Sequence, residues 1–406
     1  MHGIKEVIGR QVLDSRGNPT VEAEVFTENY SARAIVPSGA STGVHEALEL
    51  RDGGKAYLGK GVLKAVENIK KIKKFLIGRS VLKQEDIDFI MLQFDGTENK
   101  SRYGANAILS VSMACARLAA IEEKQHLFEY LNTLAERKMK MPTPFMNVIN
   151  GGLHADNNLD FQEYMIVPQG KTFSESLRMG TEIYHELKEV LKHKHSFTGV
   201  GDEGGFAPNL KDHEEPLKLI MRAAKDLGYE KNMKLAIDVA ASDIMKKDRY
   251  IIDGKSYSAA KLFDLYTDLM KKYPIISIED PFHEDDFKDF AEFTKKFGDK
   301  IRIVGDDFLV TSVNRIKHAL DVGACNTLLL KVNQIGTLTE AIKAANLAFR
   351  NNWGVMVSHR SGDTEDSFIA DLAVGLGCGM IKTGAPCRGE RTAKYNQLLR
   401  IEELLK

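Results

Sequence analysis

The stretch IRIVGDDFLVTSVNRIKHALDVGACNTLLLKVNQIG, residues 301–336, holds the pattern that decides the fold. An apolar run, IRIVG, stops at Asp306 and Asp307. A helical pattern follows in TSVNRIKHALDVG, and a second apolar run, TLLL, stops at Lys331. A buried ammonium is costly unless it is paired or loses its proton. A lysine that closes a buried strand therefore asks for a function.

The same rhythm recurs on both sides. KLAIDVA stops at Asp238, IISIEDPF at Glu279 and Asp280, GVMVSHRSG at His359, Arg360 and Ser361, and GMIKTGAP at Lys382. Intervals of roughly 25 to 40 residues match a βα unit. Continuous apolar strands alternating with helices imply a parallel sheet covered on both faces. The fold class expected is α/β, closed as a (β/α)₈ TIM-type barrel with functional residues at the C-terminal strand ends. A doubly wound open sheet is the alternative, but it would gather its site at one switch point instead of six strand ends.

Upstream, EVIGRQVLDSRGNPTVEAEVFT reads as two strands around a Gly17-Asn18-Pro19 turn, and YSARAIVP as a third. Two helical stretches follow. KAVENIKKIKKFLIG has an apolar face with lysines turned to solvent, and GANAILSVSMACARLAAIEEK has small residues suited to close packing. The charged, proline-ended ERKMKMPTP is taken as a domain boundary, giving units over 1–136 and 137–406.

Fifty-six basic against 57 acidic side chains leave a net charge of −1, so no bulk attraction to nucleic acid or anionic membrane is expected. No run of 18 apolar residues suggests a membrane span. The start, MHGIKEVIGR, lacks the apolar core of a secretory signal. Cys115, Cys325, Cys378 and Cys387 show no CxxC pair or zinc-type spacing and read as small apolar residues in a reducing cytoplasm.

Asp238, Glu279 and Asp306 would converge on the barrel mouth. Three hard oxygen ligands without a cysteine or a tight histidine pair favour Mg²⁺. A single strand-end carboxylate is often a cap or an ion-pair partner, but three on successive strands weaken that reading. Lys331, near divalent ions and a second lysine, is expected to have a lowered pKa and to act as a general base. A permanent salt bridge to one of the carboxylates is the competing reading. A lysine base beside a metal suits removal of a proton next to a carboxylate. At an effective dielectric of about 20, a unit-charge pair ~4 Å apart is worth roughly 4 kcal/mol and a divalent ion about twice that. Metal ions are the effect large enough for the step, with Lys382 adding positive charge.

SGASTGVHEA, GGLHADN, QEYMIVP, GDEGGFAPN, SIEDPF, LLLKVNQIGT, VSHRSGDTED and IKTGAP, in this order along nearly the whole chain, resemble the enolase family. The resemblance implies an N-terminal α+β capping domain and a modified barrel whose first strands break βα alternation. It implies Mg²⁺-dependent, reversible dehydration of 2-phosphoglycerate to phosphoenolpyruvate, with two ions per site, the second arriving with substrate. Lys331 matches the family's base, Glu203 its acid and Glu163 the acid's partner. Asp238, Glu279 and Asp306 match ligands of the first ion, and Ser41 a loop ligand of the second. Arg360 and Ser361 match phosphate contacts, Lys382 the substrate-carboxylate contact, and His154 and His359 histidines near substrate.

The resemblance also implies a cytoplasmic homodimer or octamer. It leaves open display at the cell surface without a signal peptide and binding of plasminogen, for which the terminal Lys406 is suited. A superfamily dehydratase of non-phosphorylated acid sugars is the other enzymatic alternative, and it would have no use for Arg360 and Ser361 as a phosphate clamp. SGASTG carries Gly39 and Gly43 as hinges for closure, and it is not a Walker loop because no lysine follows. The family usually has Glu where Asp363 stands.

Overall fold

The structure, a computed structural model, describes residues 2–40 and 42–406. It begins with an antiparallel meander of β1 (Glu6–Leu13), β2 (Pro19–Phe26) and β3 (Ser31–Ile35). The β1–β2 turn is built by its sequence. The Asp14 carboxylate accepts from the backbone N–H of Arg16 and Asn18 at 2.8 and 2.9 Å, and Gly17 supplies a φ of +74°. Against the sheet pack α1 (Leu63–Leu76) and α3 (Ala105–Glu122), with α2 (Gln84–Asp95) packed on both helices and α4 (Leu127–Thr133) on α3. In α1 the buried stripe is Ala65, Ile69, Ile72 and Leu76, with most of the lysines outside it. By length and composition α3 could cross a membrane, yet 83 % of it is buried inside the protein, so it is accounted for as a core helix.

The barrel strands are β4 (Thr143–Asn150), β5 (Glu163–Pro168) and β6 (Met233–Asp238), then, after an outer three-stranded sheet of β7 (Met245–Lys246), β8 (Arg249–Ile252) and β9 (Lys255–Tyr257), β10 (Ile275–Glu279), β11 (Arg302–Gly305), β12 (Thr327–Leu330), β13 (Gly354–Ser358) and β14 (Gly379–Lys382). They close in the order β4-β5-β6-β10-β11-β12-β13-β14, with β14 pairing back to β4. Around them run α5 (Phe173–His193), α6 (Glu215–Asp226), α7 (Ala259–Lys272), α8 (Phe287–Phe297), α9 (Val313–Val322), the short α10 (Val332–Ile335), α11 (Leu338–Arg350), α12 (Phe368–Gly375) and α13 (Gly389–Leu404). All adjacent pairs are parallel except those of β5, which runs antiparallel to both β4 and β6. The interrupted βα alternation implied by the family resemblance is therefore present.

The reversal has two geometric consequences. β5 starts at the mouth, so its first residue, Glu163, pairs with the last residues of its neighbours, Asn150 and Asp238. It ends at the opposite rim, so the chain returns to β6 through the packed pair α5 and α6. The loop between those helices reaches the mouth, where Phe206 bridges the end of β4 by bonds to Asn150 and Val148, both 2.9 Å.

Inside the barrel a layer of Phe145, Met165, Val167, Ala236, Val304, Leu329 and Met356 is packed separately from the main core. Side chains alternate along a strand, so residues two apart share a face. Two positions beyond Ala236, Val304, Leu329 and Met356 stand Asp238, Asp306, Lys331 and Ser358, and two positions before Met165 stands Glu163. The polar mouth is thus the top layer of the barrel interior, resting on an apolar floor.

The N-terminal helices clamp α11, which follows the lysine-bearing segment. Asp88 of α2, fully buried, accepts from Thr339 N and Oγ1 at 2.9 and 2.6 Å, and Ser112 Oγ of α3 accepts from Leu338 N at 3.0 Å. These bonds satisfy donors that a helix N-terminus leaves unpaired. Replacing Asp88 by Ala strands buried donors, at a cost of about 1–3 kcal/mol. A lower urea midpoint at unchanged secondary structure is expected, and an unchanged midpoint would show that the clamp contributes nothing.

Candidate active site

Asp238 and Glu279 end β6 and β10, and Asp306 follows β11 directly. All three are buried, each offering an oxygen within 4.8 Å of the others. Lys382 Nζ lies 2.7 Å from Glu279, 3.1 Å from Glu163 and 3.4 Å from Asp238. Asp306 accepts from Lys331 Nζ at 2.5 Å and from Gln334 Nε2 at 2.8 Å. It is presented by Asp280, whose carboxylate accepts from Asp306 N and Asp307 N at 2.9 and 2.8 Å, from a left-handed backbone with φ +38°.

This donor set fits a divalent cation. Asp238, Glu279, Asp306, Glu163 and Glu203 share the mouth with Lys331, Lys382 and Arg360, and Arg360 is already paired with Glu46, which leaves a surplus of buried carboxylates. Burial and repulsion by Asp238 push the Glu279 carboxyl well above its ordinary range, against the pull of Lys382. Hard oxygen donors in a site short of positive charge suit Mg²⁺, which keeps waters at its remaining positions. Ser41 lies outside the described residues.

In the chain alone Lys331 is a paired ammonium. Burial acts most strongly and lowers its pKa, with Arg360 and Lys382 in the same direction, but the carboxylates led by the adjacent Asp306 and including Glu279 prevail together, and the ammonium is held above its ordinary value. Within the chain alone the salt-bridge reading of Lys331 holds. A lowered pKa requires positive charge beyond what these residues provide.

A second cluster shares the mouth. His154 Nδ1 is 3.4 Å from Glu203 Oε1 and 3.6 Å from Glu163 Oε1, and His359 Nε2 is 3.4 Å from Glu203 Oε1. Asn147 Nδ2 donates to the other Glu203 oxygen at 2.8 Å. Burial and the neighbouring Glu203 push Glu163 well above the usual carboxylate range, despite Lys382. Burial also opposes ionisation of Glu203, but His154 and His359 outweigh it and hold Glu203 well below that range. The two carboxyls are thus pushed in opposite directions, Glu163 toward its protonated form and Glu203 toward its ionised form.

Arg360 presents its fork to Glu46, with both Nη atoms 3.0 Å from carboxylate oxygens, and Nη1 also donates to Asn333 at 3.1 Å. Ser361 Oγ accepts from Ala40 N at 2.7 Å, and Ser38 bridges Gly362. Ala40 and Glu46 are thereby held at the mouth. A Cβ on Gly43 would approach Val310 Cγ1 and Asp307 Oδ1 to 3.0 and 3.1 Å, so glycine there permits close seating. The shorter Asp363 still reaches Lys394 Nζ at 2.5 Å and accepts from Arg360 N at 3.1 Å.

His154, Glu163, Glu203, Asp306, Lys331, His359, Arg360, Ser361 and Lys382 line one small cavity, and Asp238 and Glu279 adjoin it through Lys382. The structure thus assembles every sequence-derived site residue it describes. Sequence reading named Asp280 only as a strand-end acid and missed Glu46, Asn147, Gln334 and Arg391. The positive φ of Asp280 directly before Pro281 leaves no sequence signature, and the others act through side chains remote in sequence.

Carboxylates and lysines on the C-terminal rim of a barrel containing one reversed strand define a class: barrel enzymes with a metal-fitting acidic triad and a lysine poised beside it. Residues 4–131 match the family model for "Enolase, N-terminal domain" and residues 138–406 that for "Enolase, C-terminal TIM barrel domain". Similar proteins include the enolase of Methanocaldococcus jannaschii, 56 % identical over 99 % of this chain and 95 % of its own length. Those of Thermococcus gammatolerans, 55 % identical over 99 % and 95 %, and Pyrococcus furiosus, 54 % identical over 98 % and 94 %, are similarly close. The chain belongs to the enolase family.

Lys382 compensates the buried carboxylates, and removing one partner of a buried ion pair costs about 3–5 kcal/mol. Lys382→Met should therefore lower the melting temperature strongly in chelator and recover part of the loss in Mg²⁺. An equal loss in both media would separate Lys382 from the acidic triad.

Proposed function

We propose that this chain catalyses the reversible dehydration of 2-phospho-D-glycerate to phosphoenolpyruvate, as a cytoplasmic carbon–oxygen hydro-lyase of glycolysis. The observation that carries this reading is the meeting, in one cavity, of Lys331, the Glu163–Glu203 pair and the Arg360–Ser361 corner. Membership of the enolase family supports it.

Asp238, Glu279 and Asp306 would hold one Mg²⁺, and Ser41 would help hold a second that arrives with substrate. Bound metal supplies positive charge for the substrate carboxylate. Lys382, already neutralising Glu163 and Glu279, adds its ammonium to the same end of the substrate. Lys331 Nζ removes the carbon-2 proton, which it accepts only as the free amine, so turnover requires its pairing with Asp306 to loosen. The hydroxyl on carbon 3 leaves as water with the proton shared by Glu163 and Glu203. His154 and His359 border that leaving group. Arg360 offers a planar fork to phosphate with the Ser361 hydroxyl alongside, and Glu46 shares or yields the fork when phosphate enters. This clamp favours the phosphorylated substrate over a plain acid sugar.

We read the chain as units over 1–136 and 137–406 that meet at this mouth and assemble as a homodimer or octamer. Capture of plasminogen at Lys406, whose side chain is 63 % exposed, is compatible with activity because that residue stands outside the cavity.

Excess chelator should abolish formation of the enol-phosphate absorbance, and Mg²⁺ should restore it; full activity in chelator would overturn the metal assignment. Lys331→Ala should lose both dehydration and exchange of the carbon-2 proton with solvent deuterium. Glu203→Gln should keep exchange while product formation falls, because the base remains. Wild-type exchange in the Lys331 variant would remove Lys331 from the role of base.

A further inference from the structure

The guanidinium of Arg391, on α13, has no exposed surface and stands behind the site without entering it. Its Nη1 lies 2.6 Å from His359 Nδ1 and donates to Arg360 O at 2.5 Å. Its Nη2 donates to Ser361 O at 2.6 Å and to Asp202 O at 3.0 Å. One side chain thus ties the carbonyls of the two phosphate-corner residues to the residue that precedes Glu203, and touches the ring of the intervening histidine.

A guanidinium has donors only and keeps its proton in proteins. At 2.6 Å from it, His359 Nδ1 can only accept, because an N–H at that position would oppose the Nη1 hydrogen. A neutral ring that accepts at one nitrogen carries its hydrogen on the other. The Nε2 hydrogen then lies on the side of Glu203 Oε1, 3.4 Å away. We propose that Arg391 is a positioning residue that locks His359 as the neutral Nε2–H tautomer and so fixes it as a hydrogen-bond donor toward Glu203 and the leaving hydroxyl.

The charged groups around the ring agree with the geometry. Burial lowers the His359 pKa most, Glu203 opposes, Arg391 lowers it further and Asp363 opposes, leaving it at about 4. The surroundings thus favour the neutral imidazole. A permanent donor suits a place where the partner gains and loses a proton, since an imidazolium would compete with Glu163 and Glu203 as the acid.

The proposal rests on the dehydratase reading only for its mention of the leaving hydroxyl, and its first test is independent of activity. The Mg²⁺-loaded protein, labelled with ¹⁵N-histidine, is examined by long-range ¹H–¹⁵N spectra between pH 5.5 and 8, with His359 assigned by the signal missing in His359→Gln. The expected result is a single neutral Nε2–H pattern across the range. A neutral Nδ1–H pattern, or a cationic ring at pH 6, would overturn the proposal even if no Arg391 variant folds. Arg391→Lys keeps charge and donors and should keep the pattern. Arg391→Met should give a tautomer mixture, a midpoint shifted upward toward that of free imidazole, and a kcat lower by about 10- to 100-fold, the range for partners that orient a functional histidine. A folded Arg391→Met protein with the wild-type pattern would show that Arg391 is structural only.

Discussion

The site depends on keeping a surplus of carboxylates dry. Asp238, Glu279, Asp306, Glu163 and Glu203 are all nearly inaccessible, and ionising them together inside a protein is prohibitive without compensation. The structure meets that constraint in three ways. Lys382 and Lys331 each neutralise part of the surplus, Glu163 is pushed toward its protonated form, and the acidic triad is left as a place for a cation. Each device is also a working part of the proposed reaction, so the solution to a stability problem and the equipment for catalysis are the same groups. The apolar layer beneath them, with Leu329 and Met356 among its members, closes the mouth from below.

The loop over the mouth follows the same logic with opposite sign. Arg360 is a buried cation that needs an anion, and Glu46 provides one through a two-pronged contact. The loop is thereby seated by the side chain proposed to receive phosphate. An incoming phosphate would meet a fork already organised by a carboxylate of similar geometry, which limits the side-chain ordering that binding has to cost.

Much of this was legible in the sequence because the regular strands obey one rule. KLAID, IISIE, TLLLK and GMIK are apolar runs that end on a charged residue, and the alternation of side chains then puts that residue on the barrel's inner rim. The rule fails where the strand is reversed. In EYMIVP the functional Glu163 comes first, so reading for terminal charges passes over it, and TPFMNVIN ends on uncharged Asn150. Glu163, and Glu203 in a loop, were reached through family resemblance. Helices α2, α5 and α6 carried no site motif and were not read. The basicity of Lys331 depends on which carboxylate stands 2.5 Å away, and no local pattern encodes that.

The reversal of β5 also divides the mouth by origin. Asp238, Glu279, Asp306, Lys331 and Lys382 all come from strands that run in the common direction, whereas His154, Glu163 and Glu203 come from the detour that begins after β4 and returns by way of α5 and α6. Groups assigned to metal and to deprotonation thus have a different genetic address from groups assigned to the departing hydroxide. A lineage could lengthen, recombine or replace the segment from 151 to 214 and acquire a new leaving-group chemistry while the machinery for removing a proton beside a carboxylate passed on unchanged. The backwards strand is in that sense a seam along which one half of the reaction can be inherited without the other.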